Sequence, residues 1–312
     1  MVIPLQKSPE KNLIRNRVAF ILVVAGAIAT GCFGTVNAQS TSSGSSSVSV
    51  PKSAFYAGGG VGFAILASGE QSVYNKGLSN VRDGGVLVAT GEADGPPVET
   101  FLDTKLMFVP LAQLGYFRHI GETPWLWGTK FSYSYLMTST SRDDLVIPQF
   151  GSSSDPNVSS FTGFSVTRSY EASVHHQMTM TPFVGRSFQK SFVYIGAGPS
   201  LSRVQSSLKD VVGFADIRGR RLDISGRPQS FTSSEWAFGA AATTGVTYFI
   251  NSSWFLDFGY SFSMPFARTT AVSEPFSNNA YSPLAFDGTL SGTYSAKSLS
   301  THSFTISINK AF

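Results

Sequence analysis

The spacing between the alternating segments of this chain constrains its fold more than any other feature. Eight stretches, from residues 55–65 at one end to 302–312 at the other, place apolar and small polar residues at alternate positions. Period two reads as β-strands with two unlike faces. The connections follow a strict rhythm. Residues 68–105, 138–169, 203–234 and 267–298 are long and polar, whereas 118–124, 187–191 and 251–253 are short. In an antiparallel arrangement this sorts every long connection to one end and every short one to the other. An up-and-down barrel is built that way. A β-sandwich, the other all-β reading, has no reason to segregate loop lengths.

The faces say where such a barrel would sit. The first strand sets Phe55, Ala57, Gly59, Val61, Phe63 and Ile65 against Tyr56, Gly58, Gly60, Gly62 and Ala64. The third sets Trp125, Trp127, Phe131, Tyr133, Tyr135 and Met137 against Gly128, Lys130, Ser132 and Ser134, and the fourth puts Val174, Met178, Met180, Pro182 and Val184 on its apolar side. Charged residues are only 13% of the chain, about half the usual share of roughly 25%. The solvent face of a sandwich would carry Lys and Glu; here the small polar face is nearly uncharged, as a barrel interior is, and the aromatic face suits lipid and its interfaces. The predicted fold is all-β: a transmembrane antiparallel up-and-down β-barrel of eight strands, four long extracellular loops and three short periplasmic turns. In it Phe304, Ile306, Ile308 and Phe312 face lipid, Ser303, Thr305, Ser307 and Asn309 face the lumen, and the last strand pairs with the first so that no edge remains. The long connections show no sustained period and are predicted to be loops.

The first residues read as a targeting segment. Lys7, Lys11, Arg15 and Arg17 precede the apolar run 18–29, and Val36-Asn-Ala38 supplies small residues for cleavage. Residues 1–38 are therefore expected to be a signal peptide, 39–53 a Ser-rich flexible leader and 54–312 the barrel. Cys32, the only cysteine, follows Ala29-Thr-Gly31, a loose match to a lipidation box that lacks its branched residue. Much of the net charge of +4 lies in this leader, so nothing points to nucleic acid.

The first strand Phe55-Tyr-Ala-Gly-Gly-Gly-Val-Gly-Phe63, the hairpin from Gly245 through Asn251-Ser-Ser253 to Tyr260, and the terminal Phe312 resemble the small eight-stranded outer-membrane β-barrels of Gram-negative bacteria, the opacity-protein-like group. The resemblance covers roughly residues 54–312. It implies a surface-exposed barrel in contact with outer-membrane lipid and lipopolysaccharide, with loops available to host or cell-surface glycans or proteins. It also implies insertion by the barrel-assembly machinery, for which Phe304, Ile306, Ile308 and Phe312 would form the signal. Lys310 departs from the pattern, which usually has an aromatic residue there.

Strand parity turns Lys130, Glu171 and Asp257 inward, together with Gln113, His175 and Gln177. Eight strands leave an interior that side chains can fill, so the expectation is a buried polar network that plugs the lumen; a narrow porin-like transport barrel is the alternative. A membrane-embedded hydrolase is the second alternative. Asp143-Asp144 and His175-His176 faintly resemble the acid and Asp–His pairs of omptin-like proteases. A lipid A deacylase would need His and Ser together, but His302 and Ser303 are adjacent on a strand and so point to opposite faces. No catalytic, metal or cofactor site is expected. In the third long connection Arg218, Arg220, Arg221 and Arg227, with Arg203 and Lys209, could hold an anionic ligand. Asp210, Asp216 and Asp223, or the acidic first loop, could neutralise them instead. The expected role is structural or interactive at the cell surface.

Overall fold

The computed structural model describes residues 49–312 apart from 70, 101, 103, 297 and 298. The expected signal peptide, its cleavage site and Cys32 lie outside the described residues. The strands are β1 (Ser53–Ser68), β2 (Gln71–Asp83), β3 (Val86–Asp94), β4 (Val98–Thr100), β5 (Lys105–His119), β6 (Trp125–Ser153), β7 (Ser160–Ser187), β8 (Ser191–Ile217), β9 (Arg220–Asp223), β10 (Gln229–Phe249), β11 (Trp254–Pro265), β12 (Arg268–Tyr281), β13 (Leu284–Ala296) and β14 (Leu299–Ala311).

Eight of them close a ring in the order β1, β5, β6, β7, β8, β10, β11, β14. The closing pair is antiparallel, with Tyr56 opposite Ala311, Val61 opposite Ile306 and Ser68 opposite Leu299. Phe55, Phe63, Phe108, Leu114, Trp127, Met180, Ile195, Phe238, Phe258 and Ile308 stay exposed around the outside. So large an apolar surface would drive aggregation in water, whereas in a bilayer it is matched to the hydrocarbon. The chain is an outer-membrane-type transmembrane β-barrel.

Glycine closes the ring. A Cβ on Gly58, Gly60 or Gly62 would collide with the carbonyl oxygens of Ile308, Ile306 and Phe304. Only hydrogen in these inward positions lets β1 lie so close on β14.

The long connections are not irregular loops, and here the structure corrects the sequence reading. β6, β7 and β8 run for 29, 28 and 27 residues, where about 9–11 suffice to cross a bilayer. Their surplus rises above the apolar belt and joins β2, β3, β9, β12 and β13 in one sheet, ordered β12, β13, β2, β3, β6, β7, β8, β9. This layer has its own core of Val73, Leu145, Ile147, Tyr170, Leu208, Phe231, Phe276, Phe286, Leu290 and Tyr294. Its wall has a seam. The β10–β11 ladder ends at Gly239 opposite Pro265, and above it side chains link β10 and the end of β9 to β12. Arg268 meets Glu235 at 2.7 Å, the Asp223 amide donates to the Tyr281 hydroxyl at 2.9 Å, and Asn278 Nδ2 donates to the Asp223 carbonyl at 2.8 Å.

A bulge accounts for two further corrections. The β7–β8 register slips between Val174 and His176, and an extra residue on one strand exchanges its faces. Below the slip Gln177, Thr181 and Phe183 are buried; above it Tyr170, Ala172 and Val174 are. Val174, expected to face lipid, is fully buried, and Glu171 is turned off the inner face.

Candidate functional site

The lumen is filled in layers. At the periplasmic end Tyr56, Phe117, Leu126, Phe183, Phe192, Phe249 and Phe255 form one cluster, with Phe117 and Phe192 ring centroids 5.2 Å apart and Phe249 and Phe255 at 4.9 Å. Above it lies the polar network. Lys130 Nζ sits 2.7 Å from Asp257 Oδ2 and donates to the Tyr194 hydroxyl at 2.7 Å. That hydroxyl donates to Asp257 Oδ1 at 2.9 Å. Gln113 Nε2 reaches Ser307 Oγ and Asn309 Oδ1, each at 2.8 Å, and Asp257 Oδ2 at 3.2 Å. The two charged side chains are only 8% and 5% exposed. A charge so deeply buried survives because it is paired and hydrogen-bonded on several sides. Ala64, Leu66, Val109, Leu136, Val174 and Leu299 make a third, apolar layer above.

Two of the three residues expected in this network are there. Glu171 is not: it lies beyond the bulge and accepts from Lys209 Nζ at 2.6 Å, which holds its carboxyl below the ordinary carboxylate range. Tyr194, the hydroxyl that links both charges, is not among the residues that the sequence singles out. A phenol on a Gly-rich inward face, level with a buried acid, was the available signal.

The basic third loop is largely accounted for by its own neighbours. Arg221 Nε donates to Asp216 Oδ1 at 3.0 Å and its guanidinium lies 4.5 Å from the Phe164 ring centroid. Lys209 is held by Glu171, and Arg203 Nε donates to Ser234 Oγ at 3.0 Å. Arg218 and Arg220 flank Gly219 at the exposed tip between β8 and β9, where Arg218 and Gly219 take φ of 52° and 76°. Arg227 is exposed on the way to β10. Among the described residues, the acidic first loop makes no ion pair with this cluster. It engages elsewhere, with Arg82 on Asp287 of β13 and Lys76 on Glu92.

The hydrolase candidates are kept apart. His176 faces outward, its Nδ1 2.8 Å from the Tyr133 hydroxyl, with Tyr135 and Trp236 beside it. Asp143 and Asp144 are exposed. His302 likewise faces outward, 2.8 Å from the Tyr260 hydroxyl, while Ser303 is buried on the lumen side.

The closing strand sits as its parity required. Phe312 donates its amide to the Phe55 carbonyl at 2.8 Å, leaving its ring 72% exposed. Lys310 Nζ lies 5.3 Å from the centroid of that ring, so the unexpected lysine sits beside the terminal aromatic and leaves it exposed.

No protein-family model and no curated protein matches the chain. Solved structures with a similar arrangement include three barrels. The attachment invasion locus protein Ail of Yersinia pestis is 12% identical with TM-score 0.22, over 75% of this chain and 99% of that one. The outer membrane protein OprG of Pseudomonas aeruginosa is 8% identical with TM-score 0.36, over 85% and 98%. The outer membrane protease OmpT of Escherichia coli is 10% identical with TM-score 0.25, over 83% and 97%.

Proposed function

We propose that this chain is a non-catalytic outer-membrane protein whose barrel anchors rather than conducts, and whose folded loop layer makes contacts at the cell surface. One observation carries the reading: the lumen is filled by an aromatic cluster, a buried ion-pair network and an apolar layer in succession. A channel would need a continuous polar, water-wide path. The surplus strand length goes instead into the extracellular layer, where a core of its own keeps the shape of the surface.

The outward His176 and His302, each beside a tyrosine and a further aromatic ring (Trp236 and Phe262), lie near the outer margin of the apolar belt. Amphipathic rings of this kind favour the membrane–water interface. Lipopolysaccharide is their proposed neighbour, and glycans or proteins of other cells the proposed partners of the loop layer.

Purified, refolded protein in planar bilayers tests the reading. The expected result is no stable conductance step; reproducible single-channel steps that scale with protein would overturn it in favour of a narrow transport barrel.

A further inference from the structure

The extracellular layer holds an open-mouthed cavity of about 490 Å³, a size typical of sites for small organic molecules. It has a sequence cause. Below it the inward positions are large: Tyr170, Leu208, Val211 and Tyr294 fill the space between the walls. One level higher the inward positions become small. Gly77 and Ser79 stand on β2, Ala89, Gly91 and Ala93 on β3, Ser165 on β7, and Gly213 and Ala215 on β8, all of them lining the cavity. A Cβ built on Gly77 or Gly213 meets no atom within 4 Å. The remaining walls are largely apolar and aromatic, with Phe164 and Phe214 stacked at 5.2 Å and Phe276 and Phe286 nearby.

Charge narrows the ligand. No lysine or arginine lines the cavity among the described residues, and its two acids, Glu92 and Asp155, already have partners. Glu92 faces Lys76 at 3.4 Å, and Asp155 Oδ1 accepts the Asn157 amide at 2.9 Å. A carboxylate or phosphate entering here would be desolvated with nothing to pair it. At the lip, Val88 and Leu284 line the cavity yet stay 55% and 39% exposed, and Val86 and Leu87 beside them are more than half or half exposed at 67% and 50%. Three consecutive exposed apolar residues at the water-facing start of β3, just after the Gly84-Gly85 turn, are costly unless something covers them.

We propose that this cavity binds a neutral, largely apolar small molecule captured at the cell surface. The proposal rests on the reading that the loop layer, not the lumen, is the working part of the protein.

The probe is N-phenyl-1-naphthylamine, a neutral apolar fluorophore, titrated against the refolded chain in lipid nanodiscs with empty nanodiscs subtracted. A saturable component is expected. Gly77→Leu with Gly213→Leu should weaken it at least tenfold by occupying the space, while the protein keeps its heat-modifiable gel migration. Val88→Ser, at the exposed lip where little packing is lost, should weaken it severalfold and serves if the double variant does not fold. Dodecanol should displace the probe, and dodecanoate at alkaline pH should do so at least tenfold less well. Absence of a saturable component, or equal binding by the filled or the lip variant, overturns the proposal. Equal competition by dodecanoate overturns its neutral-ligand part. Neither outcome bears on conductance, so the anchoring reading stands or falls separately.

Discussion

Lys130 on β6 and Asp257 on β11 meet inside the barrel with Nζ and Oδ2 2.7 Å apart, although neither strand neighbours the other in the ring. The pair ties together opposite walls of the barrel and is completed by Tyr194 and Gln113. Removing one partner leaves a buried charge uncompensated, at a cost of about 3–5 kcal/mol, whereas replacing both by apolar groups of similar volume costs far less. Lys130→Met and Asp257→Leu should each lower stability by that order in urea unfolding from lipid vesicles, followed by tryptophan fluorescence. The double variant should recover most of the loss. Single variants indistinguishable from the parent would show that the network contributes little.

The contact of β1 with β14 makes barrel closure sensitive to one face of one strand. A side chain on Gly60 would meet the Ile306 carbonyl and Ser307, whereas a Cβ on neighbouring Gly59 comes no nearer than 3.5 Å to the Leu111 carbonyl. Gly60→Val should abolish the heat-modifiable folded band, and Gly59→Val should retain it.

Deletion of Phe312 removes both the amide bond to the Phe55 carbonyl and the exposed ring beside Lys310. Membrane insertion in cells, read by fractionation and surface proteolysis, should fall more than after shortening the exposed β8–β9 tip around Gly219. Undiminished insertion would mean that the terminal aromatic is not part of the assembly signal.

The barrel was legible because lipid on one side and a packed lumen on the other impose opposite chemistries on alternate residues of every spanning strand. Phe55 against Tyr56, and Ile308 against Asn309, carry that contrast without help from tertiary structure. Above the membrane the contrast disappears. β2 turns Val73, Asn75, Gly77, Ser79 and Val81 to one side, a mixture of core, hydrogen-bonding and cavity positions with no apolar stripe, so it reads as loop. The bulge at 174–176 hides for a related reason. Ala172 and Ser173 are too alike to show which face exchanges, and so Glu171 was carried into the lumen by a parity that had already slipped. Lys130 and Asp257 sit on unbroken alternation, and their side chains meet inside the barrel.

Acid should loosen the loop layer before the barrel. Glu171 lies above the belt and its carboxyl is held below 4.5, chiefly by the hydrogen bond from Lys209, and the same bond raises the Lys209 ammonium. A depressed carboxylate contributes stability that is complete above its unfolded value and is lost as pH falls through its lower folded value. Asp287, paired with Arg82 between β13 and β2, shifts in the same direction. Protease cleavage within the loop layer should therefore rise as pH is lowered from about 5 to about 3, measured with an acid-active protease. Glu171→Gln should be more susceptible at the upper end of that range and show a flatter response. A parent profile without any rise would remove these pairs from the stability of the layer.

Arg221 separates the two readings of the basic third loop. Its guanidinium stacks on Phe164 and bonds to Asp216, so it already has the contacts that an anionic ligand would offer. A cation over the half-buried Phe164 ring contributes about 1 kcal/mol; its loss in Arg221→Ala should loosen the Phe164–Phe214 wall and raise hydrogen exchange in β7 and β8 near that pair. Retention on immobilised dextran sulfate should be nearly unchanged. Replacing Arg218 and Arg220 at the β8–β9 tip should do the reverse, lowering retention and leaving exchange alone. If Arg221→Ala lowers retention as much as the tip variant does, the arginine is a ligand contact, and its ion pair with Asp216 is one that an anion can displace.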